Sequence, residues 1–242
     1  MPLFLSRLAN LALDLIFPRR CAHCARVSEG SIWCPSCVLL VQTIPYICCP
    51  GCGLRSPSGR TCERCKARVR ITGLIVPFLY ALPPIRHAIL QFKFEGVTVN
   101  ADELSNSITQ YMRVHTPPLF LFVKNDALVV PVPLSRKRFL ERGFNQAALI
   151  ATCIAHTLGL NARTDILARE KDTCLQTSFT SEHERRANVA GAFAVINSAN
   201  IRGKTVLLVD DVYTTGATMA ECTRVLRHAG ARAVWGVAIA RG

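Results

Sequence analysis

The residues with the clearest chemistry are eight cysteines near the N-terminus. They occur as four C-x-x-C pairs, and the spacing C-x2-C-x9-C-x2-C at residues 21–37 recurs 28 residues later at 49–65. Each C-x-x-C turn presents two thiolates, and four thiolates complete the tetrahedral coordination of a zinc ion. The pattern therefore predicts two Zn²⁺ ions, held by Cys21, Cys24, Cys34 and Cys37 and by Cys49, Cys52, Cys62 and Cys65.

A structural role for these ions is favoured over a catalytic one, because four thiolates leave no open coordination position. A segment of about fifty residues buries too little surface to fold alone, and metal binding supplies the missing free energy. Cys48 and His23 fall outside the repeat and are not counted as ligands. We expect the module to have a core separate from the rest of the chain. Zinc ribbons contact nucleic acid or protein, and both alternatives stay open.

A second segment with residues suited to ligand binding, VLLVDDVYTTGAT, occupies residues 206–218. In open α/β sheets ligands bind at the carboxyl ends of strands, where Asp210 and Asp211 are expected. Carboxylates accept hydrogen bonds from ribose hydroxyls, while a Thr- and Gly-containing loop before a helix offers hydroxyls and N–H groups to a phosphate. A phosphorylated sugar satisfies both groups. The alternative is that the two acids only cap the helix that follows.

The elements that must position these residues alternate between strand and helix from about residue 71. This alternation predicts a mostly parallel sheet with crossover helices. Strands are expected at 73–80, 127–133, 206–210 and 234–240, and helices at 85–96, 101–115, 145–158 and 218–230, with Gly159 and Gly230 as C-terminal caps. Residues 169–190 are polar without a clear period, so we expect a mobile loop there.

The whole chain is apolar enough to fold and strongly basic. Half of its 242 residues are hydrophobic, and 29 Lys and Arg against 16 Asp and Glu give a net charge of +13. This charge favours a polyanionic partner, although a solvated basic surface explains it equally well. A predicted basic loop contributes a group that we call the basic rim: Arg136, Lys137, Arg138 and Arg142.

The N-terminal segment does not fit a signal peptide, because Arg7 and Asp14 interrupt it and no A-x-A-like cleavage site follows. Residues 3–17 are expected to form an amphipathic helix packed on the protein, within an N-terminal unit of residues 1–20. No segment is long enough to span a membrane. We therefore expect a cytoplasmic protein, with peripheral association at the inner membrane as a further alternative, and metal-bound cysteines rather than disulfides.

Taken together, these motifs resemble the ComF/GntX family of competence-associated proteins. The resemblance covers nearly the whole chain and rests on FPRRCAHC, the later knuckles, IRHAILQFKFEG, VPVPLSRKRFLERGFNQA, ERRANVAGAF and VLLVDDVYTTGAT. The last segment resembles the phosphoribosyl pyrophosphate (PRPP) motif of type I phosphoribosyltransferases. The family implies a double zinc ribbon at residues 21–70, a phosphoribosyltransferase-type domain at 71–242 and a role in DNA uptake during natural transformation.

The resemblance also implies roles for individual residues. Asp210 and Asp211 would contact the ribose hydroxyls and serve any catalysis, and Mg²⁺ would neutralise the pyrophosphate. The 5′-phosphate would be held by Thr214, Thr215, Gly216, Ala217 and Thr218, and the pyrophosphate would face Pro133, Leu134, Ser135 and Arg136. The mobile loop, with Gln176, Arg185 and Asn188, would close over the substrate.

Three functions are consistent with these observations. The first is a DNA-uptake protein that binds PRPP and single-stranded DNA, alone or with other DNA-uptake proteins. The second is a true phosphoribosyltransferase with an unidentified small acceptor, for which the sequence offers no recognisable nucleobase pocket. The third is a zinc-ribbon adaptor in which the sugar-phosphate site is regulatory.

Overall fold

A computed structural model of the chain describes residues 19–28, 30–94, 100–171, 182–198 and 201–242. The expected helix at residues 3–17 and Gln176 lie outside the described residues. Within those residues, no helix combines the length and apolar character needed to cross a membrane.

The centre of the fold is a four-stranded parallel sheet in the order β1-β8-β6-β3. Its strands are β1 (Gly73–Ile75), β3 (Ala127–Pro131), β6 (Thr205–Val209) and β8 (Ala233–Val237). The helices are α1 (Pro35–Val38), α2 (Glu63–Lys66), α3 (Pro83–Phe94), α4 (Asn100–His115), α5 (Pro117–Asp126), α6 (Arg136–Arg142), α7 (Gln146–Leu158), α8 (Glu182–Val189) and α9 (Ala217–His228). The mostly parallel α/β architecture predicted from the sequence is confirmed.

Three of these strands break and resume after two residues. β1 continues as β2 (Phe78–Leu79), β6 as β7 (Val212–Tyr213) and β8 as β9 (Ala240–Arg241), which pair in parallel in the order β2-β9-β7. The sequence predicted unbroken strands at 73–80 and 234–240, and it did not predict β7. An antiparallel pair, β4 (Leu167–Arg169) and β5 (Phe193–Val195), was not predicted either. Of the three breaks, only the one between β6 and β7 contains charged residues, Asp210 and Asp211.

Side chains alternate between the two faces of the sheet along each strand, and helices cover both faces. Along β6, Leu207 and Val209 face the core formed by α3, α4 and α7, whereas Val206 and Leu208 face the core formed with α9. The uninterrupted apolar run of β6 follows from this two-sided burial. Because the strand is packed on both sides, the residues directly after Val209 are held in a fixed position.

Several backbone hydrogen bonds of the first ribbon recur 28 residues later in the second. The N–H of Cys21 donates to Arg26 O at 2.7 Å, and 28 residues later the N–H of Cys49 donates to Leu54 O at 2.8 Å. The helices α1 and α2 and the antiparallel bridges Arg20–Val27 and Cys48–Arg55 obey the same shift. The internal repeat in the sequence is therefore a structural repeat.

The expectation of separate cores is wrong. Trp33, Ile32 and Ile47 of the ribbon module are buried in the same hydrophobic cluster as the side chains of α3, α4 and α7. The Trp33 indole N–H donates to Pro84 O at 3.1 Å at the start of α3. The apolar residues between the cysteine pairs supply this packing, and the ribbons are consequently part of one folded body.

Two predicted loops contain helices. Residues 182–189 of the expected mobile loop form α8, whose polar sequence has no apolar period and which packs on α9 through its buried end at Val189. Arg185 and Asn188 lie on this helix. The expected basic loop is α6, which begins at an N-cap in which the Ser135 hydroxyl accepts from the N–H of Arg138 and ends at Gly143 with a φ of 78°.

Candidate functional site

The eight paired cysteines form two compact thiol clusters. Within each set of four, the sulfur atoms all lie within 4.8 Å of one another. Tetrahedral zinc with Zn–S bonds of about 2.3 Å requires sulfur atoms about 3.8 Å apart. The Sγ atoms of Cys24 and Cys34 are 3.7 Å apart, and those of Cys52 and Cys62 are 3.9 Å apart. Both clusters thus have the dimensions of a structural zinc site.

The first cysteine of each cluster is prepared for metal binding by the backbone. Burial raises the pKa of Cys21, but backbone hydrogen bonds, the strongest from Cys24, outweigh it and lower the pKa to about 6. Cys49 has the same balance, with its strongest hydrogen bond from Cys62 and a pKa of about 6. A thiol with such a pKa is mostly thiolate at neutral pH, which is the form that zinc binds.

Asp210 and Asp211 occupy the break between β6 and β7. The N–H of Asp210 donates to Val237 O at 2.9 Å, and the carbonyl of Asp211 accepts from the N–H of Ile239 at 3.0 Å, so the neighbouring strand fixes both residues. The Asp210 carboxylate accepts from the N–H of Asp211 at 2.9 Å. The predicted position at the carboxyl end of this strand is confirmed.

A lysine from α3 pairs with the second acid. Lys93 Nζ lies 3.0 Å from Asp211 Oδ2, and the two side chains retain only 18% and 15% exposure. Burial raises the pKa of Asp210 to about 7, and the charge of Asp211 adds to this rise. Asp211 is therefore paired with a cation, while Asp210 is poised to change its charge near neutral pH.

Neither acid caps the following helix. Helix α9 begins at Ala217 after Gly216, whose φ is 75° and which has no side chain to act as a cap. The Thr215 hydroxyl accepts from the N–H of Ala217 at 3.5 Å. A small cavity of about 30 Å³ lies between Asp210 and residues 212–219. The helix N-terminus, with its partial positive charge, thus faces a cavity that also contacts a carboxylate.

The segment from Pro133 to Arg136 begins beside the acids. The N–H of Val132 donates to Val209 O at 2.8 Å, which aligns the end of β3 with the end of β6. Pro133 and Leu134 are partly buried, Ser135 is buried and Arg136 is exposed. The sheet therefore brings this segment and Asp210 to the same edge.

The basic rim divides into an outer and an inner pair. Arg136 and Lys137 are exposed, whereas Arg138 and Arg142 are partly buried. Arg142 donates to Gln146 Oε1 at 3.0 Å and lies 5.1 Å from the centre of the Phe94 ring. Burial lowers the pKa of Arg142, and the nearby Asp211 charge opposes that shift. Arg142 therefore adds positive charge to the acid site, and Arg136 and Lys137 face solvent.

A larger pocket of about 600 Å³ is lined in part by Pro133, Leu134 and Arg136. Its walls include Phe139 and Phe144, and the side chains of Arg136 and Arg169 add charge. No sequence pattern indicated this pocket, because its walls come from β3, α6, α7 and β4. Its volume is in the range of pockets that bind small organic molecules.

Two residues of the site were missed by the sequence analysis. Lys93 was counted only as part of a helix, and no pattern in the sequence identified Asp211 as its partner. Tyr213 was passed over between the acids and the threonines. It is only 4% exposed and its hydroxyl donates to Pro50 O of the second ribbon at 3.2 Å.

Comparison with known proteins finds two family models that match different parts of the chain. A family model described as a double zinc ribbon domain matches residues 12–66, and one described as a phosphoribosyl transferase domain matches residues 147–241. DNA utilization protein YhgH of Salmonella typhimurium is 30% identical over 224 residues, which cover 91% of this chain and 96% of that protein.

Two competence proteins are similar at 29% identity. Competence protein F of Haemophilus influenzae is 29% identical over 229 residues, with 92% of this chain and 97% of that protein covered. Competence protein ComFC of Bacillus subtilis is 29% identical over 208 residues, with 81% and 78% covered. With two four-cysteine ribbons ahead of a phosphoribosyltransferase-type domain, and relatives of this kind along most of its length, the chain belongs to the ComF/GntX family.

Proposed function

We propose that this protein acts in the use of incoming DNA, binding PRPP together with Mg²⁺ at Asp210, Asp211 and residues 214–218, and single-stranded DNA along the basic rim. The names of the relatives support the first part of the proposal, since they are competence and DNA utilization proteins. The match to a phosphoribosyl transferase domain supports the proposed binding of PRPP. The cytoplasm is the compartment in which PRPP and reduced zinc thiolates occur together.

The observation that carries the proposal is the position of two acids beside a helix N-terminus that neither of them caps. The acids do not cap α9, and the Asp211 carboxylate is neutralised by Lys93 at 3.0 Å. Asp210, the proposed acceptor of ribose hydroxyls, and the loop proposed to cradle the phosphate line the same small cavity. Pro133, Leu134, Ser135 and Arg136 begin at the same sheet edge and are proposed to face the pyrophosphate.

Mg²⁺ fits this site as a companion of the ligand. Magnesium is usually bound through substrate phosphates with one or two carboxylates and several waters, so a dedicated protein cage is unnecessary. When bound, it would neutralise charge on the pyrophosphate. The chain's own acids would orient the ribose, and Arg136 would contribute positive charge beside the phosphates.

Single-stranded DNA is proposed as the macromolecular partner because of the charge and position of the rim. The net charge is +13, and Arg136 and Lys137 are exposed next to the phosphate site. Backbone phosphates attract such side chains through counterion release. Phe139, which is 48% exposed on α6, offers a ring on which a base can stack.

Titration of the purified protein with PRPP and Mg²⁺, with and without single-stranded DNA, tests the proposal. Calorimetry should detect one saturable PRPP site per chain, and fluorescence anisotropy should detect DNA binding that weakens with salt. Absence of PRPP binding would remove the sugar-phosphate part. Absence of DNA binding would leave a zinc-ribbon adaptor with a regulatory sugar-phosphate site as the better function.

The larger pocket favours a second function, a true phosphoribosyltransferase. A pocket of about 600 Å³ beside the Pro133 to Arg136 segment has room for a small acceptor. In such a reaction the acceptor nucleophile forms a bond to the anomeric carbon, and the bond from that carbon to pyrophosphate breaks. Pyrophosphate leaves with the electron pair. Release of pyrophosphate that depends on a small acceptor in the same titration distinguishes this function from binding alone.

A further inference from the structure

The second zinc ribbon lies directly against the phosphate loop, which we define as residues 213–218. Tyr213 donates its hydroxyl hydrogen to Pro50 O at 3.2 Å in a buried contact. Pro50 stands between the metal ligands Cys49 and Cys52 in the first knuckle of that ribbon. One hydrogen bond therefore joins the knuckle to the first residue of the loop.

The ring of Tyr213 also sets the position of the loop's turn. A Cβ atom on Gly216 would lie 2.3 Å from the Tyr213 hydroxyl oxygen, a distance that no side chain can occupy. Gly216 has a φ of 75° and precedes the first residue of α9. The turn at Gly216, which leads into the helix N-terminus, thus packs against Tyr213, and Tyr213 is hydrogen-bonded to Pro50.

A second contact reinforces the first. Arg241 Nη1 donates to Cys49 O at 3.3 Å, and the Arg241 guanidinium lies 5.9 Å from the centre of the Tyr213 ring. The N–H of Gly242 donates to Tyr213 O at 2.9 Å. Arg241 therefore contacts both Tyr213 and the first knuckle of the second ribbon, and Gly242 contacts Tyr213.

The first ribbon makes different contacts. At the position of Pro50 it has Ala22, and its described hydrogen bonds to the rest of the chain include those to Glu103 of α4 and to Pro84 of α3. Glu103 accepts from the Ser31 hydroxyl and from the N–H of Ile32, each at 2.8 Å. Two ribbons of the same internal geometry thus lie against different parts of the domain.

We infer that the second ribbon positions the phosphate loop through Tyr213, so that zinc occupancy at Cys49, Cys52, Cys62 and Cys65 and sugar-phosphate binding stabilise each other. Tyr213 is a positioning residue that acts through the loop. The statement about sugar phosphate rests on the proposed function, whereas the statement about loop position does not. Because linkage is reciprocal, a ligand on the loop must also protect the second ribbon.

The loop position is tested by hydrogen exchange in the full zinc-loaded protein. Tyr213→Phe removes the hydroxyl and keeps the ring. Tyr111→Phe is a matched control, since Tyr111 is also 4% exposed and donates its hydroxyl hydrogen to a backbone oxygen, Tyr46 O, at 2.7 Å. Exchange at the amides of residues 213–219 should become about fivefold faster in Tyr213→Phe and stay unchanged in Tyr111→Phe. Unchanged exchange in Tyr213→Phe, or equal changes in both variants, would overturn the inference.

The linkage is tested by pulsed alkylation of the cysteines with and without PRPP and Mg²⁺ under a zinc chelator, read by mass spectrometry. PRPP should slow alkylation of the second ribbon more than that of the first. The preference should disappear in Tyr213→Phe, whose PRPP affinity should fall about fivefold with two zinc ions retained, and persist in Tyr111→Phe. Equal protection of the two ribbons would overturn the linkage. A wild-type protein that binds no PRPP would refute the proposed function, and hydrogen exchange would still decide the positioning role.

Discussion

The thiol clusters and the acid site are built in opposite ways. Each thiol cluster is complete within a segment of seventeen residues, 21–37 or 49–65. The acid site needs Lys93 from α3, the end of β3 and the break after β6, which only the folded sheet brings together. A local site depends on its own ligands, whereas a site assembled from distant segments depends on everything that positions them.

The strongest disturbance is expected from loss of a metal ligand. Cys21→Ala should remove one of two zinc ions, and zinc binding to such sites supplies on the order of 10 kcal/mol. Because Trp33 and Ile32 share a core with α3 and α4, the whole chain should melt in one transition at a lower temperature. Elemental analysis and calorimetry measure both effects. Retention of two zinc ions would show that Cys21 is not required for metal binding. A domain that melts at the wild-type temperature would show that the ribbon does not share a core with it.

Removing the cation of the acid site should have a smaller effect. Lys93→Met leaves Asp211 unpaired at 15% exposure, which should lower the free energy of unfolding by about 3 kcal/mol and also weaken PRPP binding. Lys66→Met is the control, because Lys66 and Glu63 form an exposed pair that contributes about 0–1 kcal/mol. Chemical denaturation compares the two variants. Equal losses would mean that the Lys93 pair is no more than a surface contact.

The pH dependence of PRPP affinity should be smaller again. The pKa of Asp210 is raised to about 7, so the unliganded protein holds this proton until the pH passes 7. The stability that Asp210 contributes to the fold is fully present below the pKa of this carboxyl in the unfolded chain and is lost as the pH rises through 7. A ribose hydroxyl donates better to the ionised acid, so affinity should rise about tenfold between pH 6 and pH 8. In Asp210→Asn this rise should vanish, and its persistence would assign the titration to another group.

The least effect is expected at the basic rim. Arg136→Ala with Lys137→Ala should reduce the slope of log affinity for single-stranded DNA against log salt by up to about 0.7 per phosphate contact. Arg138→Ala with Arg142→Ala should change the slope less, because these side chains are partly buried. Anisotropy titrations at several salt concentrations measure the slopes. If all four substitutions together leave the slope unchanged, DNA binds elsewhere, with the ribbons as the next candidate.

The sequence predicted what local rules determine. The cysteine spacing identified both thiol clusters down to each ligand, because zinc geometry requires that spacing. The apolar run of β6 and the glycine before α9 located the acids and the loop, because burial and a positive φ constrain the residue types there. In α7, Asn145 and Gly159 marked both ends.

Other features depend on tertiary contacts that leave little trace in the sequence. Helix α8 has no apolar face to give a period, so it was taken for a loop. The breaks occur at the same level in three neighbouring strands, β1, β8 and β6. The sequence of any one strand does not show where the break falls. The roles of Lys93 and Tyr213 follow from partners 118 and 163 positions away in the chain, namely Asp211 and Pro50.

The sugar-phosphate assignment is tested most directly by calorimetric titration of Asp210→Asn, Asp211→Asn double-variant protein with PRPP and Mg²⁺. Asparagine keeps the size of each side chain but weakens the charge-assisted hydrogen bonds to ribose hydroxyls, at a cost on the order of 2–4 kcal/mol. The predicted result is a variant that retains two zinc ions, melts near the wild-type temperature and binds PRPP roughly thirty- to a thousandfold more weakly. Wild-type affinity in this variant would contradict a ribose-phosphate site at Asp210 and Asp211.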